Sequence, residues 1–178
     1  MKREDIEFDM YYSYYLESMF GTLMNRLDKA FSIFLIASGT TVFAQFGSLV
    51  TFGAAIAIIS TLQFVIQPGN QAATSIEHSK KYIQLISKSS QLPDNELLDE
   101  FIEIQSSDSN CWSILKNSAF KNASLTLNRE LEDDFKMSLW EGLIVKLSGG
   151  NLVGRASPDT RALPNTQASP YTRASPYT

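Results

Sequence analysis

The order of apolar and polar positions divides the chain into distinct stretches. Between Glu4 and Lys29, residues Ile6, Met10, Tyr14, Met19 and Leu23 approximate a 3.6-residue period, and Leu16, Phe20 and Leu27 widen the apolar face. This predicts an amphipathic helix over 4–29. Asp5, Glu7 and Asp9 suit the positive end of its dipole, and Arg26 and Lys29 the negative end. Gly21 reads as a mild weak point within it. Four tyrosines, Tyr11, Tyr12, Tyr14 and Tyr15, crowd this helix. They fit packing in a cytosolic bundle better than a headgroup belt, because they lie some ~20 Å before a membrane helix starting at Ala30.

From Ala30 to Ile76 there is no Asp, Glu, Lys or Arg. One membrane crossing needs roughly 20 apolar residues, so this stretch is too long for one and fits two. It predicts a transmembrane helical hairpin: a first helix over 30–44, a tight turn near Gln45–Ser48, and a second helix over 49–66. Lys2, Arg3, Arg26 and Lys29 precede it, Lys80, Lys81 and Lys88 follow it, and the turn carries no positive charge. That asymmetry places both termini in the cytoplasm.

Polar residues of the hairpin fall in stripes. Ser38, Thr41, Gln45 and Ser48 share one on the first helix, and Ser60, Gln63, Gln67 and Asn70 share one on the second. Gly53, Ala54, Ala57 and Thr61 form a small-residue face. Two readings stay open: a seam for helix packing in lipid, or the wall of a water-filled path between several hairpins, which requires an oligomer. Pro68 and Gly69 kink or restart the helix at the membrane exit, either as a hinge or as a simple break. A soluble bundle with an unusually apolar hairpin is a third reading.

Past the exit, helical patterning resumes over 70–90 with Ile76, Tyr82, Ile83, Leu85 and Ile86, and Glu77 and Lys81 pair at i,i+4. Pro93 and Asp94 predict the start of an acidic amphipathic helix over 94–105, followed by a loop over Ser106–Asn110. Trp112, Ile114, Leu115, Ala119 and Phe120 predict a further helix, interrupted near Lys121–Leu127. The last predicted helix spans Arg129–Leu147, with Leu131, Phe135, Leu139, Trp140, Leu143 and Ile144 as its apolar face and Gly149-Gly150 as its stop. The tail consists of four successive hexapeptides, RASPDT, RALPNT, QASPYT and RASPYT. Proline in each repeat and the lack of core residues predict a disordered segment. The expected fold class is all-α. Residues 1–29 form a cytosolic helix, 30–67 the transmembrane hairpin, 68–150 a cytosolic helical domain and 151–178 the disordered tail.

Composition narrows the chemistry. The 178 residues carry a net charge of −4, so no basic footprint argues for direct nucleic-acid binding. The single cysteine, Cys111, excludes an intrachain disulfide and fits a reducing compartment. The charged N-terminus MKREDIEFDM predicts no cleavable signal peptide. Cys111 and His78 are the only materials for a Cys–His nucleophile pair. Cys111 reads as a packed residue beside Trp112, and His78 as a solvated or interfacial one between Glu77 and Lys80. His/Cys metal sites need more such ligands than one of each. Glu96, Asp99, Glu100 and Glu103, like Glu130, Glu132, Asp133 and Asp134, read as solvated helix faces. No P-loop or G-x-G-x-x-G is present. The expectation is therefore no enzyme, no cofactor and no metal site.

The segment MNRLDKAF, the hairpin and long helix after it, and the pair CWSILKNSAFKNASLTLN and FKMSLWEGLIVKLSGG resemble the SLATT type of small bacterial two-helix membrane effectors of conflict and antiphage systems, over roughly Tyr14–Gly150. The resemblance implies a homo-oligomeric, pore-forming or membrane-perturbing protein of the bacterial cytoplasmic (inner) membrane, with lipid as its medium. It also implies a trigger supplied by a separate sensor or nuclease partner. The alternative is a non-conducting membrane adaptor or exclusion protein whose cytosolic helices bind a partner.

Overall fold

The computed structural model describes residues 2–43, 49–129 and 139–150, and every regular element among them is helical. Helix α1 runs without interruption over Arg3–Phe43, about 60 Å at 1.5 Å per residue. The expected division at Lys29–Ala30 does not occur. Charge changes there, but Asp28-Lys29-Ala30-Phe31 holds no proline or glycine to break the backbone. The second helix, α2, spans Leu49–Ile66, as the apolar pattern predicts. It returns along the last third of α1, where Gln63 Nε2 donates to Asp28 Oδ1 at 3.4 Å.

After α2 come α3 (Pro68–Lys88), a 3-10 turn at Ser89–Gln91, α4 (Asp94–Gln105), a 3-10 turn at Ser113–Leu115, α5 (Lys116–Thr126) and α6 (Leu139–Leu147). The α2–α3 joint is a break with a defined geometry. Gln67 sits in the left-handed region at φ 47° and Pro68 takes the first helical position, where a missing N–H costs no helix bond. Gln71 Nε2 donates to the stranded Ile66 carbonyl at 2.5 Å. A Cβ on Gly69 would lie 3.3 Å from the Asp28 carboxylate. Glycine thus lets an anion approach the positive end of α3.

Helix α3 packs back along the first half of α1. The close approach is at Gly21, which is buried against Ala72 and Ile76. The reading of Gly21 as a weak point is corrected: it is a helix–helix crossing point. Two apolar cores result. One gathers Met19, Phe20, Leu23, Met24, Ala72, Leu115 and Val145. The other gathers Ile6, Met10, Tyr82, Leu85, Leu97 and Phe101. The four α1 tyrosines are half-buried, Tyr14 packing on the second core and Tyr15 sharing a hydrogen bond with Thr126 Oγ1 at 2.8 Å, as bundle packing requires.

Two expectations for the C-terminal half change. Helix α5 continues through the expected interruption at Lys121–Leu127 and stops only after Thr126. There Asn128 takes φ 51°, and Arg129 N–H bonds Ser124 O at 2.9 Å while Asn128 N–H bonds Leu125 O at 3.3 Å, a Schellman closure with asparagine in the left-handed position. Helix α6 closes in the same way at Gly149, φ 81°, as the Gly149-Gly150 stop predicts. Its apolar face, however, is not turned wholly inward. Val145 is fully buried and Ile144 packs on the core, whereas Trp140, Leu143 and Leu147 are exposed. Arg26 fixes that rotation by donating to the Lys146 and Leu147 carbonyls at 3.2 and 2.8 Å. The part of the expected last helix at 130–138, including Glu130, Leu131, Glu132, Asp133, Asp134 and Phe135, the Gln45–Ser48 turn and the 151–178 tail lie outside the described residues.

Candidate functional site

The apolar helical pair forms the first candidate site. Among the described residues one helical run, Val50–Gln91, is long and apolar enough to cross a membrane, and none of its most apolar window is buried within the protein. The outward residues include Ile33, Ile36, Val50, Ile58, Phe64 and Val65, each between 61% and 81% exposed. Of the predicted polar stripe on α1, Ser38 is 3% exposed and so faces into the pair. The Thr41, Gln45 and Ser48 side chains lie outside the described residues. On α2, Ser60 and Gln67 are exposed while Gln63 is half-buried against Asp28. The predicted stripe is therefore split: its amide at Gln63 is spent on holding the two helices together. Gly53, Ala54, Ala57 and Thr61 are exposed, and nothing lies within 4 Å of a Cβ on Gly53. Pro68 is buried and Gly69 faces Asp28.

The second candidate lies between the two cores. There α1 contributes Ser13 and Glu17, α3 contributes Ser75, His78, Ser79 and Tyr82, and the loop after α4 contributes Asp108 and Ser109. His78 is 5% exposed, which corrects its reading as a solvated residue. Its spacing from Ser75 and Tyr82 puts it on the face of α3 that meets α1, one to two turns along from the crossing at Ala72. Glu17 is equally enclosed, at 2%. Its Oε1 accepts the Ser109 backbone N–H at 2.7 Å and lies 3.9 Å from His78 Nδ1. Its Oε2 and His78 Nδ1 have no hydrogen-bond partner. Asp108 accepts the Tyr82 hydroxyl at 2.7 Å, and Ser75 Oγ donates to Ser109 Oγ at 2.8 Å.

Electrostatics follow from burial. The Asp108 carboxyl is pushed up to about 6, chiefly by desolvation, with the Tyr82 hydrogen bond pulling it down, Glu17 pushing it up and His78 pulling it down. Desolvation also drives the Tyr82 hydroxyl upward, as does its bond to Asp108. Cys111 packs on the first core, as expected, and its thiol is raised by burial and by the neighbouring Glu17. A raised thiol is a poor nucleophile. An open groove of about 710 Å³, bounded by Asn70, Thr74, Ser109, Cys111, Trp112 and Lys116, runs along this corner.

Sequence reasoning missed the grouping of Glu17, His78 and Asp108. One signal was present: Glu17 lies three residues after Tyr14 and three before Phe20, on the apolar face of α1. No family model matches the chain, and no curated protein or solved structure is significantly similar to it.

Proposed function

We propose that the protein is a non-enzymatic membrane effector that spans the bacterial cytoplasmic membrane with the second half of α1 and with α2, both termini cytoplasmic, and perturbs that membrane as a homo-oligomer in antiphage defence. The observation that carries this reading is the outward set Ile33, Ile36, Val50, Ile58, Phe64 and Val65 on the helical pair. Each such side chain gains about 1.5–3 kcal/mol on leaving water. Their concentration on one projecting element is what a lipid environment favours. At about 27 Å, α2 matches a hydrocarbon core of about 30 Å.

Assembly follows from the face that the pair leaves uncovered. Gly53, Ala54, Ala57 and Thr61 are small and outward, so a second copy can approach α2 closely in lipid. Ser60 and Gln67 border that face. A ring of such pairs would put hydroxyls and amides, but no charges, along a central path, giving weak ion selectivity. The Pro68–Gly69 joint is the place where a movement of the cytosolic bundle would reach the pair. A separate sensor or nuclease partner supplies the trigger in this reading, and nucleic acid is not bound directly.

The adaptor reading is favoured by one different observation, the exposed stripe of Trp140, Leu143 and Leu147 on α6, which suits capture of a partner helix. Inducible expression with a voltage-sensitive dye separates the two. Depolarisation that disappears in Gly53→Leu, together with loss of the detergent-stable oligomer and retained insertion, supports the perturbing oligomer. A monomer or dimer in detergent with no depolarisation under any trigger overturns it and leaves the adaptor.

A further inference from the structure

Charged groups are rarely buried without a partner, because desolvating one costs several kcal/mol. Glu17 meets this requirement through only one of its two oxygens, Oε1. Its carboxylate is 2% exposed, yet Oε2 has no hydrogen-bond partner, and neither does His78 Nδ1, whose side chain is 7% exposed. The two side chains adjoin, with His78 Nδ1 3.9 Å from Glu17 Oε1. Asp108 completes the group: one donor atom from each of Glu17, His78 and Asp108 lies within 4.8 Å of the others. Imidazole nitrogen and carboxylate oxygen at this spacing need only small side-chain shifts to reach the roughly 2.0–2.2 Å bonds of a transition ion.

We propose that Glu17, His78 and Asp108 form a binding site for a divalent transition ion, best suited to Zn2+, that clips α1, α3 and the loop after α4 together. Two carboxylates and a neutral imidazole cancel the ion's charge. The imidazole favours Zn2+ over Mg2+ or Ca2+, which prefer all-oxygen shells. The outer groups are already in place. The Ser109 N–H orients Glu17, and the Tyr82 hydroxyl orients Asp108, as partners of metal-bound carboxylates do. The site joins segments far apart in sequence at the level between the two apolar cores, and its ligands belong to no part of the membrane pair. The inference is thus independent of the membrane function.

The chain's single histidine makes the test clean. Tag-free full-length protein carrying [15N]histidine, stripped with chelator in detergent micelles, is titrated with Zn2+ and separately with Mg2+. The expected result is a Zn2+-specific shift of the imidazole nitrogens that saturates at one ion per chain. Glu17→Gln should weaken the titration by more than about tenfold, and Tyr82→Phe, which keeps the ring in the core, by about 10–100-fold. Unshifted imidazole signals at saturating Zn2+ overturn the proposal whether or not the variants fold. So does an unchanged titration in folded Glu17→Gln, which would place any bound ion elsewhere.

Discussion

Gly21 and Ile76 meet with no room for a side chain between them. A Cβ on Gly21 would lie 2.9 Å from Ile76 Cγ1, 3.2 Å from the Ile76 backbone nitrogen and 3.3 Å from Ala72 O. Two of those three neighbours are backbone atoms, which cannot move aside as a side-chain end can. Gly21→Ala should therefore force α1 and α3 apart, destabilising the bundle by about 1–3 kcal/mol despite alanine's better helix propensity. Gly39→Ala meets nothing within 4 Å and should be neutral or slightly stabilising. Denaturant titration in detergent, followed by tryptophan fluorescence, distinguishes the two. Equal stability of Gly21→Ala and wild type would mean that α1 and α3 can part at this crossing at no cost.

Arg26 reaches from α1 to the last carbonyls of α6, bonding Leu147 O at 2.8 Å and Lys146 O at 3.2 Å. A cation at a helix C-terminus satisfies orphan carbonyls and opposes the dipole. Arg26→Ala should cost on the order of 1 kcal/mol, confined to the last turn of α6. Hydrogen exchange should quicken over 144–150 while α4 keeps its protection. Uniform quickening of the whole bundle would contradict so local a role.

What was legible in the sequence followed from local rules. The charge-free run set α2 at Leu49–Ile66, and Pro93-Asp94 set the start of α4. The Pro68 break and the Gly149 stop were equally local. What was missed depends on contacts between distant segments. Gly21 looks like a helix flaw until α3 is laid against it. His78, between Glu77 and Lys80, looks solvated, because flanking residues on a helix point to other faces. Asp108 sits in a polar loop with no periodicity, so nothing in the sequence pairs it with Glu17 ninety-one residues earlier. The uninterrupted α1 was missed for the opposite reason: a sharp change in charge at Lys29–Ala30 marks a change of surroundings, and the backbone ignores it.

Gln67 holds φ 47°, a conformation that costs an L-residue with a Cβ roughly 1–2 kcal/mol and costs glycine little. Gln67→Gly should therefore raise thermal stability slightly while keeping the α2–α3 break. Pro68→Ala restores a backbone donor and should favour a continuous helix through the joint. A distance measured by paired spin labels on α2 and α4 should keep its mean in the first variant and shift in the second. If Pro68→Ala leaves the distance unchanged, the joint is set by packing around Asp28 and Gly69 instead of by the local backbone.

Ile58 offers the sharpest test of where the apolar pair resides. It lies mid-way along α2 and is 61% exposed. If α2 crosses a bilayer, this position is near the hydrocarbon centre, where arginine costs about 2.5–3.5 kcal/mol on an insertion scale. If α2 projects into water, Ile58→Arg should improve solubility and change little else. Ile102 is the matched control: it is 52% exposed on α4, in the bundle that the membrane reading leaves in the cytoplasm. Carbonate extraction of membranes should release Ile58→Arg into the supernatant and leave Ile102→Arg in the pellet with wild type. Because the control is comparably exposed, the contrast reports position relative to lipid and not the mere loss of an exposed hydrophobe. Equal retention of both variants would remove the membrane from the α2 surface.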